Sequence, residues 1–231
     1  MPIRFLPLIT GLMPIIGIHA CYLIAASAQR IPVCIPYFAG CTSISATGRY
    51  PPASYLFKAV MLPEAVLLLL FWICCAAWLR KLEATPGSRW SHQSIRLNLL
   101  GGGGALALIL YVTFLGTHEP FYEFMRRFGI YLFFLLTILA QLDLSLRIRR
   151  YARKARNRPL LRLSRLLLGL VALPFFLGLL NLSLKAILAD ADQTENIIEW
   201  ISVLIMQSHI VLTYFAWRAT GFDVEVKLSK G

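Results

Sequence analysis

Ionisable and polar residues set inside long apolar runs are costly to keep there, which makes them the first candidates for chemistry. Between residues 197 and 217, Glu199, Ser202, Met206, His209 and Thr213 recur at spacings of three and four, which places them on one helical face. At about 1.5 Å per residue, His209 lies about 15 Å deeper than Glu199, so the two cannot act together on one bond. The stripe reads either as interhelical glue, with Glu199 capping the helix start, or as a lipid-headgroup or proton-handling site. Glu64 falls a turn or so inside another apolar run. From there it could meet Lys58, Lys185 or the helix of His209, face interfacial water, or serve only structure. Asn181 reads as helix glue. Asp143 with Arg147, and Glu123 with Arg127, are each four apart and read as solvated local ion pairs. His118 and Glu119 lack a third partner, so no metal centre is implied. Gly101 to Gly104 lacks the Gly-Lys-Ser/Thr ending of a phosphate loop and reads as close helix packing or a local break. No catalytic constellation is recognisable, and no cofactor is implied.

The elements that hold these residues follow from the apolar runs. The 231 residues are 58% hydrophobic and 15% charged, with mean hydropathy +0.68, far from the balance of a soluble domain. Six runs, at about 5 to 28, 59 to 79, 97 to 116, 128 to 146, 166 to 188 and 197 to 217, are each near the roughly 20 residues that span a bilayer core. The expected fold class is all-α, a polytopic bundle of six transmembrane helices forming a single domain over 1–231. The net charge of +12 does not signal nucleic acid, because the basic residues sit between apolar runs and not on the face of a soluble fold. No internal repeat of the transporter type is apparent.

Charge fixes the expected orientation. With the N-terminus inside, all but six of the 23 Lys and Arg fall on the cytosolic side, the exceptions being Arg30, Arg49, Lys58, Arg126, Arg127 and Lys185. The positive-inside rule therefore puts both termini in the cytosol. The densest set, Arg149, Arg150, Arg153, Lys154, Arg156, Arg158 and Arg162, becomes a cytosolic loop that either determines topology or attracts anionic headgroups. Ala26-Ser27-Ala28 is similar to a signal cleavage site, but the preceding run is long and contains Pro7, Pro14 and His19, so it reads as a retained membrane helix.

Cys21, Cys74 and Cys75 lie inside apolar runs, where cysteine behaves as a small hydrophobe. Cys34 and Cys41 stand in the long first outer loop, on the oxidising side in this orientation, and are expected to form a disulfide. The same loop carries Thr42-Ser43-Ile44-Ser45-Ala46-Thr47-Gly48-Arg49-Tyr50-Pro51-Pro52. Gly48 would permit a tight turn, Pro51-Pro52 an extended approach to the membrane, and Tyr50, Tyr55 and Phe57 interfacial anchoring. Residues alone leave it open whether this is a connector or a binding surface.

The pattern Ile44-Ser45, Gly48, Pro51-Pro52 and Phe57, with Glu199-Trp200 opening the last helix, resembles the signature of the DRAM/Frag/Sfk family of six-helix membrane proteins. The resemblance implies a concern with membrane lipids. Its relatives include a factor acting in lipid remodelling of GPI anchors, the N-terminal part of a yeast cell-wall protein, proteins linked to phospholipid asymmetry, and lysosomal autophagy modulators. It implies no shared catalytic residues. The preferred reading is a lipid-handling or lipid-remodelling factor whose outer-leaflet pocket draws on Ser45, Arg49, Glu64, Lys185, Glu199 and His209. The alternatives are a non-catalytic scaffold that binds anionic lipid or a protein partner through the basic loop, and a small-solute transporter. The expected location is the plasma or bacterial inner membrane, with an endomembrane as the alternative; oligomeric state is not encoded legibly.

Overall fold

A computed structural model describes residues 3–83, 92–117, 119–187 and 192–223, and among these there is helix but no strand. The helices are α1 (Leu6–Ser27), α2 (Pro36–Ala39), α3 (Ile44–Thr47), α4 (Ala53–Glu83), α5 (His92–Thr113), α6 (Pro120–Lys154), α7 (Arg158–Ile187) and α8 (Asp192–Ala219). Six of them are long and apolar enough to cross a membrane, and this is a multi-pass membrane protein. His118, considered above as a ligand, lies outside the described residues.

Each long helix packs against its neighbours in sequence, and α8 packs against α1, so the six close into a ring. Small residues let the backbones approach. A Cβ at Gly129 of α6 would stand 2.7 Å from the backbone nitrogen of Tyr111 on α5. Gly101 faces Trp72 of α4 and Gly104 faces Thr137 of α6. The four-glycine run is therefore a contact seam on two sides, inside a helix that continues without a break from His92 to Thr113. Trp72, Trp78, Trp200 and Trp217 are all fully buried. The least buried of the six is α7, whose Leu173, Phe175, Phe176, Leu179 and Leu180 are exposed and so face the surrounding hydrocarbon.

The ring has two unlike ends. The motif end carries the 28–52 loop, α2 and α3; the basic end carries the α6–α7 turn, where Arg150, Arg153, Lys154, Arg156, Arg158 and Arg162 are exposed and Arg149 half-buried. At the basic end the expectation of a solvated Asp143–Arg147 pair is corrected. Arg147 is fully buried and Asp143 nearly so. Arg147 donates to both carboxylate oxygens of Glu83 on α4, at 3.0 and 2.6 Å, and Arg96 of α5 pairs with Asp143. A one-helix spacing rule registers i,i+4 neighbours only, whereas these charges are held by three helices that tie α4, α5 and α6 together. Glu123 and Arg127 do form the local pair, at 2.6 Å.

Candidate functional site

The motif loop is seated on the helices at several points. Cys34 and Cys41 form a disulfide with a Cα separation of 6.5 Å. The Tyr22 hydroxyl on α1 accepts the Cys34 N–H at 2.8 Å and donates to its carbonyl at 2.6 Å. Asn196 of α8 donates to the Gly40 carbonyl at 2.8 Å. Gly40 itself has φ +58°, and a Cβ there would strike the Gln193 carbonyl, so both backbone conformation and space require glycine. Trp200 of α8 donates its indole N–H to the Thr42 carbonyl at 2.9 Å and meets the rings of His19, Tyr22 and Tyr37 edge-on. The Tyr37 hydroxyl lies 3.0 Å from His19 Nε2, while His19 Nδ1 lies 2.7 Å from the Ile15 carbonyl. A carbonyl only accepts, so Nδ1 carries the hydrogen and Tyr37 donates to Nε2. Burial raises the Tyr37 hydroxyl pKa above its ordinary 10.0, which keeps it a donor.

The motif residues then explain one another. Ser43 caps α3 by accepting the Ala46 N–H at 3.0 Å. The Glu199 carboxylate stands close to the backbone N–H groups of Ser45 and Ile44 at the start of α3. The capping role read for Glu199 at its own helix is corrected: α8 begins at Asp192, two turns earlier, and Glu199 lies beside a different element. The apolar run marked the buried length of the helix, while Asp192 and Glu195 extend it into a polar first turn. Gly48 has φ −98°, so the expected tight turn is not its reason; a Cβ there would meet the Phe57 ring. The Pro51–Pro52 bond is cis and turns the chain directly into α4.

Beneath this loop a cleft of about 850 Å³ separates α6 from α8, with α7 as its third wall. Its mouth is charged. Arg49, Arg126 and Arg127 come from the loop and α6, and Asp192, Glu195 and Glu199 from α8, with Ser43 and Ser45 alongside. Its depth is apolar, lined by Ile130, Phe134, Ile138 and Leu182. Asn181 on α7 also borders it, and its side-chain oxygen has no partner among the described residues. A second cavity, of about 50 Å³, is bordered by Glu64, Tyr111, Glu199 and Gln207 among apolar side chains. Glu199 lines both, and Ser45 Oγ is 2.8 Å from the Tyr111 hydroxyl.

The residues singled out from sequence divide accordingly. Ser45, Arg49 and Glu199 border the cleft, and Glu64 meets Glu199 in the smaller cavity. Lys185 lies in α7, with its side chain outside the described residues. His209 borders neither cavity; it is fully buried and bonds Ser145 of α6 at 2.8 Å. Ser202, Met206, His209 and Thr213 are all buried, so the stripe is one face, but only its upper end reaches the cleft. Arg126, Asn196, Tyr111 and Gln207 were not singled out as site residues, and Arg127 was read only as the ion-pair partner of Glu123. For the α6 wall a signal existed, since Arg126 or Arg127, Ile130, Phe134 and Ile138 follow helical spacing with charge giving way to apolar groups.

The family model for the Frag1/DRAM/Sfk1/Cwh43P N-terminal domain matches residues 2–219. Among curated proteins and solved structures, nothing matches this chain.

Proposed function

The chain belongs to the Frag1/DRAM/Sfk1/Cwh43P family, and from that premise we propose that it handles or remodels a membrane lipid held in the cleft between α6, α7 and α8. One observation carries the reading: the lining passes from three arginines at the mouth to isoleucine, phenylalanine and leucine in the depth. A phosphate-bearing or polyhydroxyl headgroup suits the mouth. Arginine offers paired N–H donors to phosphate, and hydrogen bonds to charged groups contribute roughly 1.5–3 kcal/mol each. Acyl chains suit the apolar depth beside α7, where they would exchange lipid contact for protein contact at little cost. Glu199 stands beside the Ile44 and Ser45 backbone at the floor of the mouth, and Ser45, which also borders the cleft, has its Oγ engaged with the Tyr111 hydroxyl. In the orientation that the positive-inside rule favours, this mouth opens to the outer leaflet.

The test is lipid analysis of the purified protein. In a mild detergent, wild type should retain one lipid class enriched over the bulk membrane, and Arg126→Gln together with Arg127→Gln should lose that enrichment. Co-purifying lipid of bulk composition in both would reject the reading. A scaffold reading rests on a separate observation, the exposed arginines and lysine of the α6–α7 turn. Charge-reversed variants of that turn should then abolish function while the cleft lipid is retained.

A further inference from the structure

The smaller cavity raises a question of its own. Glu64 is 1% exposed, and neither of its carboxylate oxygens has a hydrogen-bond partner among the described residues. Gln207, 6% exposed, likewise has an unpartnered side-chain oxygen. Both border a space of about 50 Å³, above the roughly 10–15 Å³ that one water needs. Glu199 supplies a second carboxylate to the same wall. The groups turned to this space are thus mainly acceptors, and a buried acceptor without a donor is expensive. Two carboxylates bordering one low-dielectric space also repel each other when both are ionised.

We propose that the cavity between Glu64, Glu199 and Gln207 binds a single small monocation, a proton or a sodium ion. One positive charge removes the repulsion and supplies the missing partner for Glu64 at once. No cation borders this cavity; Arg49 and Arg126 lie on the cleft side of Glu199 and act on Glu199 and Tyr111 only from there. The α1 wall presents Pro14 and Ile18, and the α6 wall Phe133 and Phe134. The remaining titratable neighbour is Tyr111 on α5, whose hydroxyl is engaged with Ser45. His209, next along α8, is turned to Ser145. Because Glu199 borders both spaces, the cation site adjoins the cleft mouth, yet it stands whether or not the cleft takes a lipid.

The experiment measures the thermal midpoint of the full chain in nanodiscs along two arms. One replaces N-methylglucamine by sodium at fixed pH; the other varies pH with N-methylglucamine alone. Binding to the folded state should shift the wild-type midpoint by about 2 °C or more along one arm. Glu64→Gln, which keeps shape and removes the charge, should lack that component. A difference along the sodium arm identifies sodium, and one confined to the pH arm identifies a proton. Where Glu64→Gln cannot be recovered folded, Gln207→Leu serves, and it should weaken the same response. Curves for wild type and variant that run parallel along both arms would overturn the proposal.

Discussion

Gly48 lies against the ring of Phe57, so closely that a Cβ at position 48 would collide with it. Phe57 is 1% exposed and stacks edge-on against Tyr111, so the ring has nowhere to retreat. Gly48→Ala is therefore expected to cost about 1–3 kcal/mol, the range for an extra methyl forced into a filled interior. The thermal midpoint should fall, and Gly48→Ala with Phe57→Leu should recover part of the loss. An unchanged midpoint in the single variant would show that the pair is not a packing unit.

The disulfide should act locally. Cys34 and Cys41 close a short loop, and by the chain-entropy estimate its removal costs about 2–3 kcal/mol. Intact mass under alkylation, with and without reductant, should show one bridge in the native protein. Because Tyr22, Asn196 and Trp200 also hold this loop, Cys34→Ser with Cys41→Ser should lower stability and still yield folded protein. Two free thiols in the native protein would contradict the bond.

At the basic end, Arg147→Met is expected to loosen the contact between α4 and α6. Removing the guanidinium leaves Asp143, 5% exposed, to Arg96 alone and takes from Glu83 its paired donors. Because the Glu83 side chain is 32% exposed and can turn to water, the cost should fall below the value of about 3–5 kcal/mol for breaking a fully buried pair. Arg147→Met with Glu83→Gln should be better tolerated than Arg147→Met alone, measured as folded yield in detergent. Equal yields would mean that the two residues are not coupled.

These three cases also divide what was legible in the sequence from what was not. Helix number was readable because a bilayer demands long apolar segments, and each of the six left an unbroken run of them. The Cys34–Cys41 bond was readable because both cysteines stood outside those runs. The site was only half readable. Spacing along α8 put Glu199, Ser202 and His209 on one face, but depth separates them, and periodicity says nothing about what lies opposite. The link from Glu199 to the Ile44 and Ser45 backbone joins positions more than 150 residues apart, as does that from Trp200 to Thr42. Arg147 looked solvated because its partner at 143 was visible in the chain, while Glu83 was visible only in the fold.

Orientation gives a prediction independent of the site. With most basic residues at one end, that end should be cytosolic and the Cys34–Cys41 loop on the opposite side. In an otherwise cysteine-free background, a single cysteine at position 34 should react with an impermeant maleimide in intact cells. A single cysteine at Arg156, exposed in the α6–α7 turn, should react only after permeabilisation. Labelling of position 156 in intact cells would invert the assignment.

The sharpest test of the cleft is Glu199→Gln. The amide keeps the shape of Glu199 beside the Ile44 and Ser45 backbone and removes only the charge. The loop should stay seated, because Trp200 and Asn196 hold it separately, so expression and thermal midpoint should remain near those of wild type. What should change is the cleft mouth, where one of the three acidic groups facing Arg49, Arg126 and Arg127 is neutralised. The lipid retained on purification should then differ in class or amount from that of wild type, and cellular function should fall with it. Glu119→Gln, exposed at the start of α6, provides the contrast, since it alters surface charge near the same end from a position outside the cleft lining. If Glu199→Gln and Glu119→Gln both retain the wild-type lipid and full function, the charge of Glu199 is not part of a lipid site, and the scaffold reading built on the exposed basic turn becomes the better one.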